Sequence, residues 1–586
     1  MIKKSVFIGL LAALALLLYL YSNFKTIAAG IAILLFGMVL LEEGFRVFTK
    51  GPLQNILKKS TDKLYKSIST GAFVTAIIQS SSLVSVIAIS FISAGLISLS
   101  GGIGLIFGAN IGTTATAWLV AGFGLKINIS ALAMPMLIFG IIFSFQKKPS
   151  IKGIGNVLAG LGFFFLGIHY MKEGFDVFKT YIDLSQYAIP GFWGVLIYAG
   201  VGVIITTILQ SSSATLALIL TALAAGQIEY ENALALAIGA NVGTTITAVL
   251  GSLGSNVAGK RLAGAHFVFN FLTGAVALVL IYPLANVVDR ISEFVNIDAA
   301  DYTLKLAVFH SVFNILGVVI MLPFIKTLER ALLKVFKDIK DKDIDEPKFL
   351  NEAVLKFPGA VISALINESK YLYKNTIFEI VAHGLNIHRT DIKSDQKVKD
   401  IVEKSHKDLN INIDDIYYKK VKHIYGEILM YATTAEKNLN LNDKEINTLL
   451  DIKIANRRMI EIINHVRDLN KNVRLSLDLD NPYILKEYND FRKKIAKVLR
   501  IIYLFRKAED SEVYAKKLDQ LKQEAKQNIR SSNKSIDNLI RKNLINAERA
   551  SSLFNDFTNV NEINKKLIEV AELLYGNKDT LFNDTN

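Results

Sequence analysis

Cysteine is absent from the 586 residues, so disulfide bridges, thiolate metal sites and a cysteine nucleophile are excluded. Proline is sparse, nine in the whole chain, which leaves room for long unbroken helices. No phosphate-cradling Gly-rich loop occurs, nor any nucleophile, base and orienting acid in a known pattern, and the chain is read as a non-enzyme. Charge is missing most unevenly: long charge-free stretches fill residues 5 to 326, whereas residues 347–586 carry Lys, Asp, Glu and Asn throughout. With 51% hydrophobic residues and a mean hydropathy of +0.36, the chain is too apolar for an ordinary soluble protein of this size. One part in lipid and one in water follow. The formal charge of +14 forms no basic patch with interleaved aromatics, which argues against a nucleic-acid partner. Much of the surplus lies in short loops beside apolar segments, where it reports topology.

Apolar runs able to cross about 30 Å of hydrocarbon occupy residues 5–22, 27–48, 101–122, 129–145, 153–178, 231–250, 262–284 and 304–325. The first follows Lys3 and Lys4 and lacks a small-residue cleavage pattern, so it is read as a retained helix rather than a leader. Two further stretches, 68–98 and 191–228, are long for one span and short for two, and each holds a Gln and Ser cluster at its middle. A re-entrant hairpin with its tip buried in protein accounts for both. With both hairpins re-entrant, the Lys-rich and Arg-rich loops at 50–66, 146–148 and 259–261 and everything after Lys326 fall on one side, expected to be the cytoplasm. The acidic loops fall on the other. The expectation is a multi-pass protein of the cell membrane, with the N-terminus and the C-terminal domain cytoplasmic.

The sequence repeats itself. Gln79-Ser80-Ser81-Ser82 recurs as Gln210-Ser211-Ser212-Ser213, and Gly108-Ala109-Asn110-Ile111-Gly112-Thr113-Thr114 recurs as Gly239-Ala240-Asn241-Val242-Gly243-Thr244-Thr245, both 131 positions on (210 − 79; 241 − 110). Glu43 to Phe48 recurs as Glu173 to Phe178 at an offset of 130 (173 − 43). Because the charge pattern starts the two copies on opposite sides, they are expected to be inverted repeats, an architecture of alternating-access transporters. The predicted fold is all-α. Residues 1–26 form an extra N-terminal transmembrane helix, 27–150 the first repeat, 151–330 the second repeat with closing helices, and 347–586 a soluble helical bundle.

A hairpin tip in mid-membrane exposes the free N–H groups of one half-helix, which suit an oxyanion, and the free carbonyls of the other, which suit Na⁺. The Ser hydroxyls and Gln amides of the tips can donate to one and accept from the other without fixed charge. Asn110, Thr113, Thr114, Asn241, Thr244 and Thr245 lie on broken or tightly packed helix positions about 30 residues beyond each tip and are expected to face it. Interhelical hydrogen-bond glue is the competing reading, and duplication of the motifs favours ligand contact. The blocks at His266 to Asn270 and His310 to Asn314 are related to each other; a histidine bonded to a neighbouring helix is the first reading there, a gating or proton-coupled role the second.

At these paired motifs, across residues 27 to 325, the chain resembles the type II sodium/phosphate cotransporters, whose hallmark is two inverted repeats each bearing QSSS and a Gly-x-Asn-Ile-Gly-Thr-Thr-like segment. The resemblance implies that Gln79 to Ser82 and Gln210 to Ser213 form a phosphate and sodium site, supported by Asn110, Thr113, Thr114, Asn241, Thr244 and Thr245. It implies sodium as coupling ion, no cofactor, and no resident metal besides the sodium transported at that site. Animal members carry a His-Asp-x-Phe-Asn-like block where this chain reads Ala133-Met134-Pro135-Met136-Leu137, which leaves stoichiometry and electrogenicity open.

Residues 347–586 show apolar positions at three and four residue spacing, as in Ile452, Ile454, Met459, Ile462, Ile463 and Val466, the pattern of a helical bundle. Pro347 to Asn351 and Asn464 to Asn470 resemble the PhoU-like domain of bacterial members. Asn464 stands where such domains carry a metal-binding carboxylate and Val560 to Ile563 is degenerate, so no metal site is predicted there. A regulatory role, with a protein partner for the tail, is expected. The sequence supports sodium-coupled phosphate uptake first; a phosphate or oxyanion exporter and a non-transporting phosphate sensor remain as alternatives. The oligomeric state is not legible.

Overall fold

The protein is described from a computed structural model, in which residues 24–49, 60–126, 129–181, 189–337, 346–405, 409–508, 512–527 and 529–576 are placed, with isolated positions between. The chain divides into two compact units, Met1–Asp338 and Ile339–Asn586. Among the described residues both are helical and no strand occurs.

In the N-terminal unit, α1 (Phe24–Thr49) packs antiparallel on α7 (Pro149–Lys179). In lipid no hydrophobic force separates helix from solvent, so close backbone approach between small residues supplies the cohesion. A Cβ at Gly37 would stand 2.7 Å from the Gly160 carbonyl, and one at Gly160 2.8 Å from that of Gly37. Gly30 and Gly167 make the same reciprocal pair at 2.9 and 2.7 Å. Since 160 is 30 + 130 and 167 is 37 + 130, each contact has its exchange-related mate.

The first Gln-Ser cluster joins α2 (Leu64–Ile78) to α3 (Ser81–Ser93), followed by α4 (Leu99–Gly112) and short α5 (Thr114–Trp118), which runs on as a π-helical turn over Leu119–Gly124; α6 (Ile129–Ser144) closes this half against α7. The second cluster joins α8 (Gly191–Leu209) to α9 (Ser212–Ala224), followed by α10 (Tyr230–Gly243) and α11 (Thr245–Ser252). Packing of the arms repeats as the sequence does. Gly71 of α2 lies against the Leu105 carbonyl and Gly202 of α8 against that of Leu236, both contacts too close for any side chain. The unit ends with α12 (Val257–Val279), amphipathic α13 (Ile281–Phe294), α14 (Tyr302–Met321) and α15 (Ile325–Val335).

Among the described residues, seven helical segments are long and apolar enough to cross a membrane: 24–45, 99–124, 149–179, 191–209, 230–252, 257–279 and 302–335. Three differences from the expected runs and hairpins arise. The run 5–22 lies outside the described residues. The run 129–145 forms only the 16-residue α6. The break in 191–228 falls after α8 has already run 19 residues, about 28 Å of helix, whereas its counterpart α2 has 15.

The C-terminal unit is built around α22 (Asp443–Asp478), whose first turn is fixed by a capping box between Asn442 and Glu445, and which packs on α26 (Ala547–Ala571). Ile452, Met459, Ile462, Ile463 and Val466 are buried, as their spacing predicts. Ile454 is the exception at 37% exposure: two residues after Ile452 places it about 200° round the helix. The other helices are α16 (Pro358–Leu372), α17 (Phe378–Gly384), α18 (Arg389–Ile392), α19 (Val398–Lys404), α20 (Ile413–Ile416), α21 (Lys422–Asn438), α23 (Pro482–Lys507), α24 (Glu512–Gln527) and α25 (Ile529–Arg541). Fully buried Arg492 of α23 has no carboxylate partner among the described residues; it donates to the carbonyls of Leu385, Asn386, Val402 and Ser405 at 2.7–3.3 Å, at the ends of α17 and α19. Those carbonyls carry the negative end of the helix dipole, which holds the charge.

Candidate functional site

The two tips share one backbone geometry. Gln79 ends α2 in the left-handed region (φ 59°, ψ 24°) and Ser80 is extended, capping α3 by accepting from the Leu83 N–H at 3.2 Å. Gln210 ends α8 at φ 52°, ψ 24°, and Ser211 caps α9 by accepting from the Ala214 N–H at 3.1 Å. A non-glycine residue at positive φ is uncommon and costs energy, so its presence at both equivalent glutamines is a property of the repeat. Behind each cap the first N–H groups of the helix, Ser81 and Ser82 or Ser212 and Ser213, have no intrahelical acceptor.

The side chains sort by what their hydroxyl protons do. Thr113 donates to the Asn110 carbonyl (2.6 Å), Thr114 to Ile111 (2.8 Å), Thr244 to Ala240 (3.0 Å) and Thr245 to Val242 (2.8 Å). These four hydroxyls have no proton left for an anion and offer only lone pairs, the chemistry of a cation ligand. Ser81, Ser82 and Ser212 have no hydrogen-bond partner among the described residues, so each keeps a proton for an oxyanion. Ser80 accepts as a cap and keeps its proton too, whereas Ser211 accepts as a cap and donates its proton to the Met38 Sδ at 4.0 Å.

Thr116 joins the two halves. It donates to Gln79 Oε1 at 2.7 Å and lies 3.1 Å from Ser213 Oγ. With its proton engaged by Gln79, the second bond runs from Ser213 to Thr116. The Gln79 amide nitrogen donates to the Ala76 carbonyl, so this glutamine is held at both ends, whereas Gln210 is exposed. The repeat partner of Thr116, Thr247 (116 + 131), donates to its own helix at the Thr244 carbonyl, 2.7 Å away. Nor are the two asparagines equivalent. Asn110 donates to the Ile106 carbonyl (2.9 Å), while Asn241 donates across helices to Asn314 Oδ1 (3.2 Å) and Asn270 Oδ1 (3.5 Å).

The expected residues thus fall into a tip group, Gln79 to Ser82 and Gln210 to Ser213, and a local group, Asn110, Thr113, Thr114, Thr244 and Thr245, bonded to backbone carbonyls three or four residues back in the chain. Asn241 alone of the helix-break residues reaches neighbouring helices. Gln79 and Thr114 border a cavity of about 630 Å³ flanked by Phe73 and Trp118. The helix breaks expected at the Gly-Thr-Thr motifs are present as single-residue interruptions at Thr113 and Thr244, where i to i+3 bonds at 3.1 and 3.2 Å replace the α pattern. The Nδ1 atoms of buried His266 and His310 have no partner among the described residues, so the bond to a neighbouring helix expected there is not seen at that nitrogen.

Sequence reasoning passed over Thr116. The signal was available, since Gly112-Thr113-Thr114-Ala115-Thr116 recurs as Gly243-Thr244-Thr245-Ile246-Thr247. Asn270 and Asn314 were visible only as members of the two His blocks. In the C-terminal unit, His465 of the Asn464 to Asn470 segment lies 3.0 Å from Asn559 Oδ1, and Asp556 accepts from Tyr488 (2.7 Å) and Asn472 (2.8 Å). Burial pushes the Asp556 carboxyl above its ordinary pKa. No three His, Asp or Glu side chains converge as a metal site among the described residues.

The sequence profile described as Na⁺/Pi-cotransporter matches residues 33–173 and 195–296. The chain is 29% identical over 307 residues to "Uncharacterized protein YqeW" of Bacillus subtilis (strain 168), covering 52% of this chain and 95% of that protein. It is 28% identical over 344 residues to "Putative inorganic phosphate export protein YjbB" of Salmonella typhimurium, covering 58% and 61% respectively. Against the protein of the same name in Escherichia coli (strain K12) it is 28% identical over 362 residues, covering 61% and 64%. The match therefore spans less than two thirds of each of those two relatives. No solved structure matches the chain.

Proposed function

Since the membrane unit belongs to the Na⁺/Pi-cotransporter family, we propose that this chain carries inorganic phosphate across the cell membrane with sodium, by alternating access around the two tips. The observation that carries the reading is the pair of tips with one backbone geometry, offering free helix N–H groups and, at Ser81, Ser82 and Ser212, hydroxyls with no hydrogen-bond partner among the described residues. Phosphate oxygens would bind Ser81, Ser82 and Ser212 and the adjoining N–H groups. Sodium would bind the lone pairs of Thr113, Thr114, Thr244 and Thr245 with amide oxygens. A neutral donor set suits a site crossed both loaded and empty, because no bare charge remains in a low-dielectric setting. Reciprocal antiparallel packing of α1 and α7 supports the inversion of the repeats, since a two-fold axis perpendicular to an antiparallel helix pair lies in the membrane plane. The C-terminal unit would be a cytoplasmic PhoU-like regulator.

Export is the second reading, favoured by the names of two relatives at 28% identity. Purified protein in liposomes, given radiolabelled phosphate under an inward Na⁺ gradient with K⁺ as control, separates the two. Na⁺-dependent entry abolished by Ser81→Ala/Ser212→Ala is the expected result. Entry indifferent to Na⁺ but still lost in the double variant moves the reading to export. Flux untouched by the double variant sinks the tip site.

A further inference from the structure

The C-terminal unit gathers four cations, of which a single one is paired with a carboxylate of the described residues. Lys374 sits in the π-helical turn Tyr373–Ile377, Arg389 opens α18, Lys393 follows it, and Arg506 lies in the last turn of α23. Arg389 is bonded to Glu379 at 3.0 Å. Lys374, Lys393 and Arg506 form no ion pair among the described residues. What holds two of them is aromatic: the Arg506 guanidinium lies 6.0 and 5.4 Å from the ring centres of Tyr373 and Tyr575, and the Lys393 ammonium 5.3 and 5.9 Å from those of Phe378 and Tyr503. Ring faces stabilise a cation without occupying its N–H donors, so the planar guanidinium is fixed with hydrogen-bonding capacity left over. Burial, then the nearby Arg389, Arg506 and Lys374, hold the Lys393 ammonium below its ordinary pKa, with Glu379 opposing.

Two independent observations lie at the same place. Tyr373 is wholly buried and Tyr575 nearly so, and both hydroxyls are enclosed without a partner among the described residues. Each tyrosine also belongs to a π-helical turn, Tyr373–Ile377 and Glu572–Gly576. Such turns are rare and are often found at functional sites. A fold that only needed a solvated basic face has no reason to meet two helix irregularities and two unsatisfied hydroxyls there.

The geometry points to a site on the C-terminal unit, formed by Lys374, Arg389, Lys393 and Arg506, that binds a multiply charged phosphate-bearing anion. Several cations held at fixed spacing suit linked phosphate groups better than a single carboxylate. The site is separate from the tips and stands whatever the direction of transport. A soluble phosphate compound and an anionic lipid headgroup share this chemistry.

The test uses the full chain carrying Ser81→Ala/Ser212→Ala, to silence the tips, in phosphatidylcholine nanodiscs. Pyrophosphate and, separately, short-chain dihexanoyl phosphatidylglycerol are titrated calorimetrically. Lys393→Gln and Arg506→Gln are each expected to weaken binding by about tenfold or more, the loss of one charge-assisted contact, while Lys444→Gln on an exposed surface leaves it unchanged. Pyrophosphate binding with this pattern identifies a soluble ligand, and the pattern for phosphatidylglycerol alone identifies a headgroup. Arg506→Lys and Lys393→Gln decide the matter if Arg506→Gln unfolds the unit. Binding of neither probe, or binding indifferent to both substitutions, overturns the site and leaves a solvated basic surface.

Discussion

Replacing Thr116 by valine keeps the shape of the side chain and removes a hydroxyl that joins the two tips. Thr116 is 1% exposed, so water cannot take its place. The substitution deletes the bonds to Gln79 Oε1 at 2.7 Å and to Ser213 Oγ at 3.1 Å and leaves a buried Ser213 proton without an acceptor. At about 0.5–1.5 kcal/mol for each neutral bond, the loss is about 1–3 kcal/mol, which corresponds to about five- to 150-fold in any equilibrium that needs both tips in register. Thr247→Val at the repeat-equivalent position is the internal control. Its hydroxyl bonds only the Thr244 carbonyl, which also accepts the Thr247 N–H at 3.2 Å, so no group is orphaned and the cost stays below about 0.5 kcal/mol. The assay is equilibrium binding of radiolabelled phosphate to the purified protein in Na⁺ buffer. Thr116→Val is expected to bind phosphate more weakly, Thr116→Ser to recover most of the loss, and Thr247→Val to stay close to the parent. Equal losses at positions 116 and 247 would refute the bridge, because side-chain volume at a repeated position, not the bond between halves, would then explain them.

Two predictions concern the C-terminal unit. Burial raises the Glu368 carboxyl from 4.5 to about 7, against the N–H groups of Phe349, Lys348 and Leu350 that favour its charged form. A folded-state pKa above the unfolded one stabilises the fold fully below 4.5 and loses that stabilisation as pH rises to about 7. The unit should therefore weaken by about 3 kcal/mol across that window; pulse proteolysis in urea should show the decline in the parent and its absence in Glu368→Gln. Arg492→Met strips the guanidinium from four buried carbonyls and should destabilise the unit by about 3–5 kcal/mol in the same assay, so an unchanged urea midpoint would exclude Arg492 as the tie between α17, α19 and α23.

Much of the membrane unit was legible because its signals are local. An apolar run reports a helix in lipid wherever it lies, and two copies of QSSS and of Gly-Ala-Asn-x-Gly-Thr-Thr at one offset report a duplicated backbone. The structure places the same left-handed Gln and extended Ser at both tips. Helix boundaries were less legible: the run 191–228 looks like 68–98 in composition, yet the arms before the two breaks differ by four residues (19 − 15). Ile454 failed for a related reason, since apolar character alone does not say on which side of α22 a residue falls.

The sequence by itself determined that this chain has a membrane part and a water-soluble helical part, that the membrane part is duplicated, and which polar residues stand at the tips. These follow from composition, period and identity, which need no knowledge of what touches what. Only the tertiary structure decided that Thr116 meets Ser213, 97 residues away, that Asn241 turns to Asn270 and Asn314 while Asn110 bonds its own helix, and that Lys374 and Arg506 both come near Lys393. A hydroxyl or amide can bond its own backbone or a distant partner with similar energy. The choice depends on the rotation and spacing of packed helices, which the glycine contacts and the core set collectively and no single residue encodes.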